Sequence, residues 1–132
     1  MRKPTQSTFE IVSWNEQPYD EAPNARKLAR ARVVKRFAGD LVGEGTIDYL
    51  FLYREDGSAT FVGLERVTGT LLGRSGTFVL QHLGSWADNV ARSTYEIIAG
   101  SATGELAGLS GAGVSAVTHA TPHRFALDVE LA

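Results

Sequence analysis

The chain has 132 residues, 43% hydrophobic and 21% charged, with a formal net charge of -2. These totals fit one domain over residues 1-132 and exclude a strongly basic molecule drawn to nucleic acid or anionic lipid by charge alone. With 0 cysteines, disulfides, thiolate zinc sites and thiol nucleophiles are excluded together.

The N-terminal MRKPTQSTFE has basic residues but no hydrophobic stretch after them, so it does not read as a signal peptide. No apolar run approaches the roughly 20 residues of a membrane-spanning helix. A cytoplasmic location with no membrane partner is therefore expected. The first strand is predicted over residues 8–14 (TFEIVSW), followed by a polar loop, NEQPYDEAPN. Residues 27–37 (KLARARVVKRF) have some helical character, but Val33, Val34 and the following Ala-Gly-Asp favour a strand. Alternating segments at 41–53, 59–70, 75–83 and 90–98 predict four more strands. The glycine-rich run 102–113 (ATGELAGLSGAG) reads as a connection with one helical turn at 105–109, and strands at 114–118 and 123–131 finish the chain. Eight consecutive strands with short connections predict an all-β fold, a single eight-stranded antiparallel up-and-down barrel whose closure removes exposed edges.

The turns set a register, and the register sets the faces. Asp56-Gly57 suits a two-residue type I′ turn, which would pair Asp48 with Glu65, Leu50 with Gly63 and Leu52 with Phe61. Turns at Leu72-Gly73 and Asp88-Asn89 would pair Glu65 with Leu80, Gly63 with His82, and His82 with Tyr95. A joint at Gly39-Asp40 would set Ala31 opposite Asp48. One face then carries Ala31, Val33, Asp48, Leu50, Phe61, Glu65, Val67, Phe78, Leu80, His82, Tyr95 and Ile97; being mostly apolar, it is taken as the lumen. The other carries Arg30, Arg32, Arg36, Arg66 and Arg92, with Ile47, Tyr49, Phe51, Val62, Leu64 and Val79.

The run YLFLYREDGSATFVGLERVTGTLLGRSGTFVLQHLG, with FEIVSWNEQPYDE before it and GSATGELAGLSG after it, resembles a bacterial family with a domain of unknown function that is related in fold to allene oxide cyclase. The ATGELAGLSG stretch is similar to the glycine-rich turn before the last strands of dirigent proteins. The resemblance covers nearly the whole chain. It implies an allene oxide cyclase-like barrel holding a hydrophobic small molecule, steering its cyclisation or coupling without a metal or organic cofactor, in a dimer or trimer. No catalytic residue carries over position by position.

The residues themselves point to the lumen. Asp48, Glu65, His82 and Tyr95 cluster on its apolar face, and a carboxyl there should have a raised pKa, more so with a second carboxyl across the strand pair. Glu65 and His82 are the candidate catalytic pair for proton transfer. Asp48 and Tyr95 would orient a ligand's polar end, while Phe61, Phe78, Leu80, Leu50 and Trp86 supply apolar contact. The function expected is binding of a small, largely hydrophobic molecule, either by a carrier or sensor or by a cofactor-free isomerase or cyclase. The alternative is a structural oligomeric barrel with a filled lumen, its polar groups forming a self-satisfied network, or Glu65 facing water.

Other motifs carry less. His119 and His123 in HATPH are spaced as helix ligands, but Pro122 and the strand context speak against a helix, so no metal is expected. Residues 111–116 (GAGVSA) match the glycine fingerprint of a dinucleotide site, but a strand follows where that site needs a helix, and Ser75 and Ser110 lack a full nucleophile elbow. The arginine stripe beside Tyr49 and Phe51 could bind a single strand, but nearby glutamates and the acidic total favour a solvated exterior and no nucleic acid. Ile47, Phe51, Val62, Leu64 and Val79, if exterior, would form an apolar patch that favours a homo-oligomer.

Overall fold

A computed structural model describes residues 2–21, 27–118 and 123–131. Eight antiparallel strands close into a barrel in sequence order: β1 (Arg2–Glu21), β2 (Lys27–Gly39), β3 (Leu41–Tyr53), β4 (Ala59–Leu71), β5 (Arg74–Ala87), β6 (Val90–Ile97), β7 (Ser110–Val117) and β8 (His123–Glu130). The up-and-down barrel predicted from alternation and turn spacing is the fold observed. No helix among the described residues is long and apolar enough to cross a membrane.

The first strand is much longer than the sequence suggests. Residues 15–21 continue β1 instead of forming a loop, pairing with Lys27–Arg32 as far as Glu21↔Lys27. Among the described residues β8 flanks β1 only between Arg2 and Phe9, so Pro18 lies on a part of β1 with β2 as its described neighbour, the kind of position that tolerates proline. The remainder of the predicted loop, 22–24, lies outside the described residues. The glycine-rich run is also partly strand: β7 begins at Ser110, and the helical turn is a short 3₁₀ turn, Gly104–Leu106, one residue ahead of its predicted start.

Two of the three predicted hairpins have the expected form. Leu72 and Gly73 (φ 50° and 83°) and Asp88 and Asn89 (φ 52° and 64°) form two-residue type I′ turns. The third does not. Tyr53 pairs with Ala59, the Gly57 N–H donates to the Arg54 carbonyl at 3.1 Å, and the Arg54 N–H donates to the Ser58 carbonyl at 2.9 Å. This is a three-residue loop, a type I turn with Gly57 in the left-handed position (φ 87°). The extra residue shifts β3 by one against β4, so Ile47, not Asp48, opposes Glu65.

The joint to β2 shifts the same way, setting Tyr49 opposite Ala31. β3 is therefore turned over as a unit while its neighbours keep their predicted faces. Asp48, Leu50 and Leu52 leave the predicted lumen face, and Ile47, Tyr49 and Phe51 take their place. Ile47 is 0% and Phe51 7% exposed, whereas Leu50 is 48% exposed. The β4–β5–β6 pairings Glu65↔Leu80, Gly63↔His82 and His82↔Tyr95 are as predicted.

The interior has two unlike halves. One end is solid: Phe37, Leu41, Leu71, Phe78 and Phe125 pack there with Leu106 and Leu109, delivered by the segment after β6. That segment is tied down where the Thr103 N–H donates to Thr77 O at 2.8 Å and the Ser75 N–H to Glu105 Oε1 at 3.0 Å. The other half, around Ala31, Val33, Ile47, Phe51 and Phe61, is smaller and less completely filled.

Candidate functional site

Between the two halves lies a buried polar cluster built from three adjacent strands and β2. Alternation along β4 puts Glu65 inside with Phe61 and Val67, and Glu65 is 0% exposed. β5 lays His82 beside it, and the imidazole Nε2–H donates to Glu65 Oε1 at 2.8 Å; a carboxylate can only accept, which fixes that tautomer. From β2, the Lys35 ammonium reaches Glu65 Oε1 at 3.6 Å and lies 4.6 Å from the centre of the Phe9 ring. From β3, Tyr49 adds its phenol beside Lys35 and packs edge-to-face with His82, 6.4 Å between centroids.

The electrostatics differ from the expectation for a lone buried carboxyl. Burial pushes the Glu65 pKa up, but Lys35 and the His82 hydrogen bond together outweigh it and hold the carboxyl below its ordinary value. Burial pulls Lys35 down, but Glu65 and Tyr49 more than offset this, and its pKa is raised. His82 is lowered, chiefly by burial and with the Lys35 charge adding to it, against the pull of Glu65. Burial raises the Tyr49 phenol despite Lys35. At neutral pH the cluster is a Lys35–Glu65 ion pair with a neutral imidazole and a neutral phenol.

Above this cluster, toward the β3–β4 and β5–β6 hairpins, is a cavity of about 430 Å3. Phe9, Trp14, Phe51, Phe61 and Trp86 form much of its wall, and Lys35 and Tyr49 are the polar groups of the cluster that reach it. Glu65 and His82 lie behind them. Of the residues singled out from sequence, Phe61 and Trp86 line the cavity. Phe78, Leu80 and Tyr95 belong to the solid half, where the Tyr95 hydroxyl donates to the Ala126 carbonyl at 2.5 Å and its ring stays 5.5 Å from His82. Asp48 is on the outer wall, held by two hydrogen bonds from Arg32 at 2.8 and 2.9 Å. It places no second carboxyl near Glu65.

Lys35 and Tyr49 were missed for different reasons. The alternation Ala29, Ala31, Val33 continues to Lys35 and Phe37, all five buried, so Lys35 could have been found by extending a pattern already seen. Tyr49 depended on the β3 register. Outside the barrel, Arg36 pairs with Glu10 at 3.0 Å and Arg30 lies over the Tyr19 ring at 5.0 Å, so the arginine stripe is partly engaged by its own neighbours. The exterior apolar patch is also redrawn: Ile47 and Phe51 face inward, and Leu50, Val62, Leu64 and Leu83 are exposed. His119 lies outside the described residues, and His123 packs on Phe9 with ring centroids 4.9 Å apart.

A comparison with curated proteins gives no match. Among solved structures, the crystal structure of a protein with unknown function from the DUF3224 family of Shewanella oneidensis MR-1, at 1.84 Å resolution, is similar to the chain at 28% identity. The similarity covers 100% of this chain and 99% of that one, with a TM-score of 0.81. The family model described as a protein of unknown function, DUF3224, matches residues 5–129. With nearly the whole barrel inside that match, the chain belongs to the DUF3224 family.

Proposed function

We propose that the lumen cavity binds a small, largely hydrophobic molecule whose polar end meets Lys35 and Tyr49. The observation that carries this reading is an aromatic-walled cavity of about 430 Å3 with a buried ammonium at its margin. Ligand sites in general pair such apolar walls with a few placed polar groups, in volumes of roughly 300–1,000 Å3. The resemblance to allene oxide cyclase-like barrels points the same way.

Of the forms this binding could take, a carrier or sensor fits the geometry better than a cofactor-free isomerase or cyclase. A proton-transfer group must come within hydrogen-bond reach of its substrate, and Glu65 and His82 stand behind the groups that line the cavity. The neutral apolar dye N-phenyl-1-naphthylamine is expected to brighten on mixing with the protein. Ala91→Trp, which fills the cavity from β6, should weaken that binding by about tenfold or more while the protein stays folded. Absence of dye binding, or equal binding by the folded Ala91→Trp variant, would overturn the reading.

A second reading, a self-associating barrel, is favoured by one exterior feature. Leu50, Val62 and Leu83 pair directly across β3, β4 and β5 and are 48%, 41% and 48% exposed, with Leu64 beside them at 55%. A contiguous row of this kind suits an interface between copies. Sedimentation velocity should show a dimer or trimer that Val62→Lys/Leu64→Lys converts to a folded monomer. A monomeric wild-type protein at high concentration would rule this out.

A further inference from the structure

The residues around Lys35 narrow the chemistry of the ligand's polar end. An ammonium has three donors and no acceptor. The nearest carboxylate oxygen to Lys35 stands at 3.6 Å, an ion pair too long for an ordinary hydrogen bond. Phe9 covers another side of the ammonium with its ring face, Tyr49 engages it from β3, and the ammonium itself borders the cavity. Tyr49 adds a phenolic O–H in the same place. Both groups suit an oxygen acceptor, and an anionic one makes the stronger, charge-assisted bond.

Charge balance adds a second requirement. Lys35 and Glu65 already neutralise each other, so an incoming anion would leave a net negative charge beside the buried Glu65 carboxylate, which is costly. Two imidazoles are placed to offset it: His123, which lines the cavity beside Phe9, and His82, which is coupled directly to the Lys35–Glu65 pair and is the one assigned here. Its Nε2–H is committed to Glu65, which leaves Nδ1 to take a proton. The titratable groups facing the ring are Glu65 from β4, Lys35 from β2, Tyr49 from β3 and Tyr95 from β6. From β8 it is Phe125 that stacks on Tyr95 behind it. Lys35 disfavours the imidazolium; an anion seated on Lys35 offsets that charge.

We infer that the ligand is an apolar carboxylate seated on Lys35 and Tyr49, and that its entry draws one proton from solvent onto His82. This rests on the cavity-binding reading, and the two can fail separately. The anion therefore binds more tightly as pH falls toward the histidine range, where a carboxylate that meets a permanent charge and nothing else would show no change.

The test is calorimetric titration of the whole protein with decanoate, with decanol as the neutral counterpart, in phosphate and in Tris at the same pH. Decanoate should bind about tenfold more tightly than decanol. Its heat should change between the buffers by an amount that gives close to one proton taken up, and its affinity should rise from about pH 8 to about pH 6. His82→Gln keeps a donor for Glu65 but cannot titrate; it should still bind decanoate, with no buffer dependence and a flat pH profile. Lys35→Met should lose the preference for decanoate while still binding the naphthylamine dye. If the dye binds but decanoate is no better than decanol, or binds with no proton uptake, this inference is wrong and the cavity reading stands. If neither the dye nor decanoate binds, the cavity reading itself fails.

Discussion

Replacing Glu65 with Leu is expected to destabilise the barrel by about 3–5 kcal/mol, the cost of leaving one member of a buried ion pair without its partner. Lys35, 6% exposed, would keep its ammonium in an apolar wall or give up the proton. Lys35→Met should cost less, because His82 lies 2.8 Å from Glu65 and can become the cation in its place. The double variant Lys35→Met/Glu65→Leu should recover more than half of the larger loss, since apolar replacement of a whole buried pair is often neutral or better. Urea unfolding of the four proteins closes the cycle. Simple additivity would mean that the pair is not coupled and that the cluster does not act as a unit.

The same cycle should reshape the pH dependence, with signs set by each shift. Glu65 is held below its ordinary 4.5, so its contribution is present above that value and is lost as pH falls through the folded pKa. His82 is also lowered, so folding resists its protonation and stability begins to fall below about 6.5. Lys35 is raised, so its contribution is present below 10.5 and lost as pH rises through its folded pKa. The double variant should flatten both limbs and keep only the histidine step.

Which parts of this were legible beforehand follows from how strongly each local signal is tied to geometry. Leu72-Gly73 and Asp88-Asn89 take positive φ at both turn positions, so those hairpins could be centred correctly and the Glu65–His82 neighbourhood followed. Asp-Gly at 56-57 fits two turns, the two-residue I′ and the three-residue type I with a glycine bulge. Composition does not separate them, and the choice reverses every side chain of β3. That reversal exchanged Asp48 for Tyr49 in the lumen and sent Leu50 outside. It also changed the meaning of Glu65: with a second carboxylate it would have been an acid of raised pKa, and with Lys35 it is an ionised partner. The alternation of β1 beyond Trp14 was hidden because residues 15–21 are almost all exposed and pair, among the described residues, with β2 alone, so polar residues and Pro18 occur where a central strand would carry apolar ones.

Gly45→Ala tests the fit of the cluster from outside its titrating groups. Gly45 lies on β3 between Lys35 of β2 and Val67 of β4. A Cβ there would fall on Glu65 Oε2 and lie 2.9 Å from Cε2 of Phe37. Alanine ordinarily improves on glycine in a strand, yet here it should cost about 1–3 kcal/mol, as overpacking does. The carboxylate has little room to yield. Its Oε1 is fixed by His82 and Lys35, while Oε2 is buried with no hydrogen-bond partner among the described residues. Glu65→Asp withdraws the oxygen by one methylene, so it should cost less in the Gly45→Ala background than in the wild type. If Gly45→Ala is as stable as wild type, or Asp costs the same in both, the glycine is not there to make room for the carboxylate. If the expected pattern is found, the carboxylate pushed off Gly45 moves toward Lys35 and occupies its donors. The folded Gly45→Ala protein should then bind decanoate more weakly and the naphthylamine dye unchanged, which ties the packing of β3 to the polar end of the cavity.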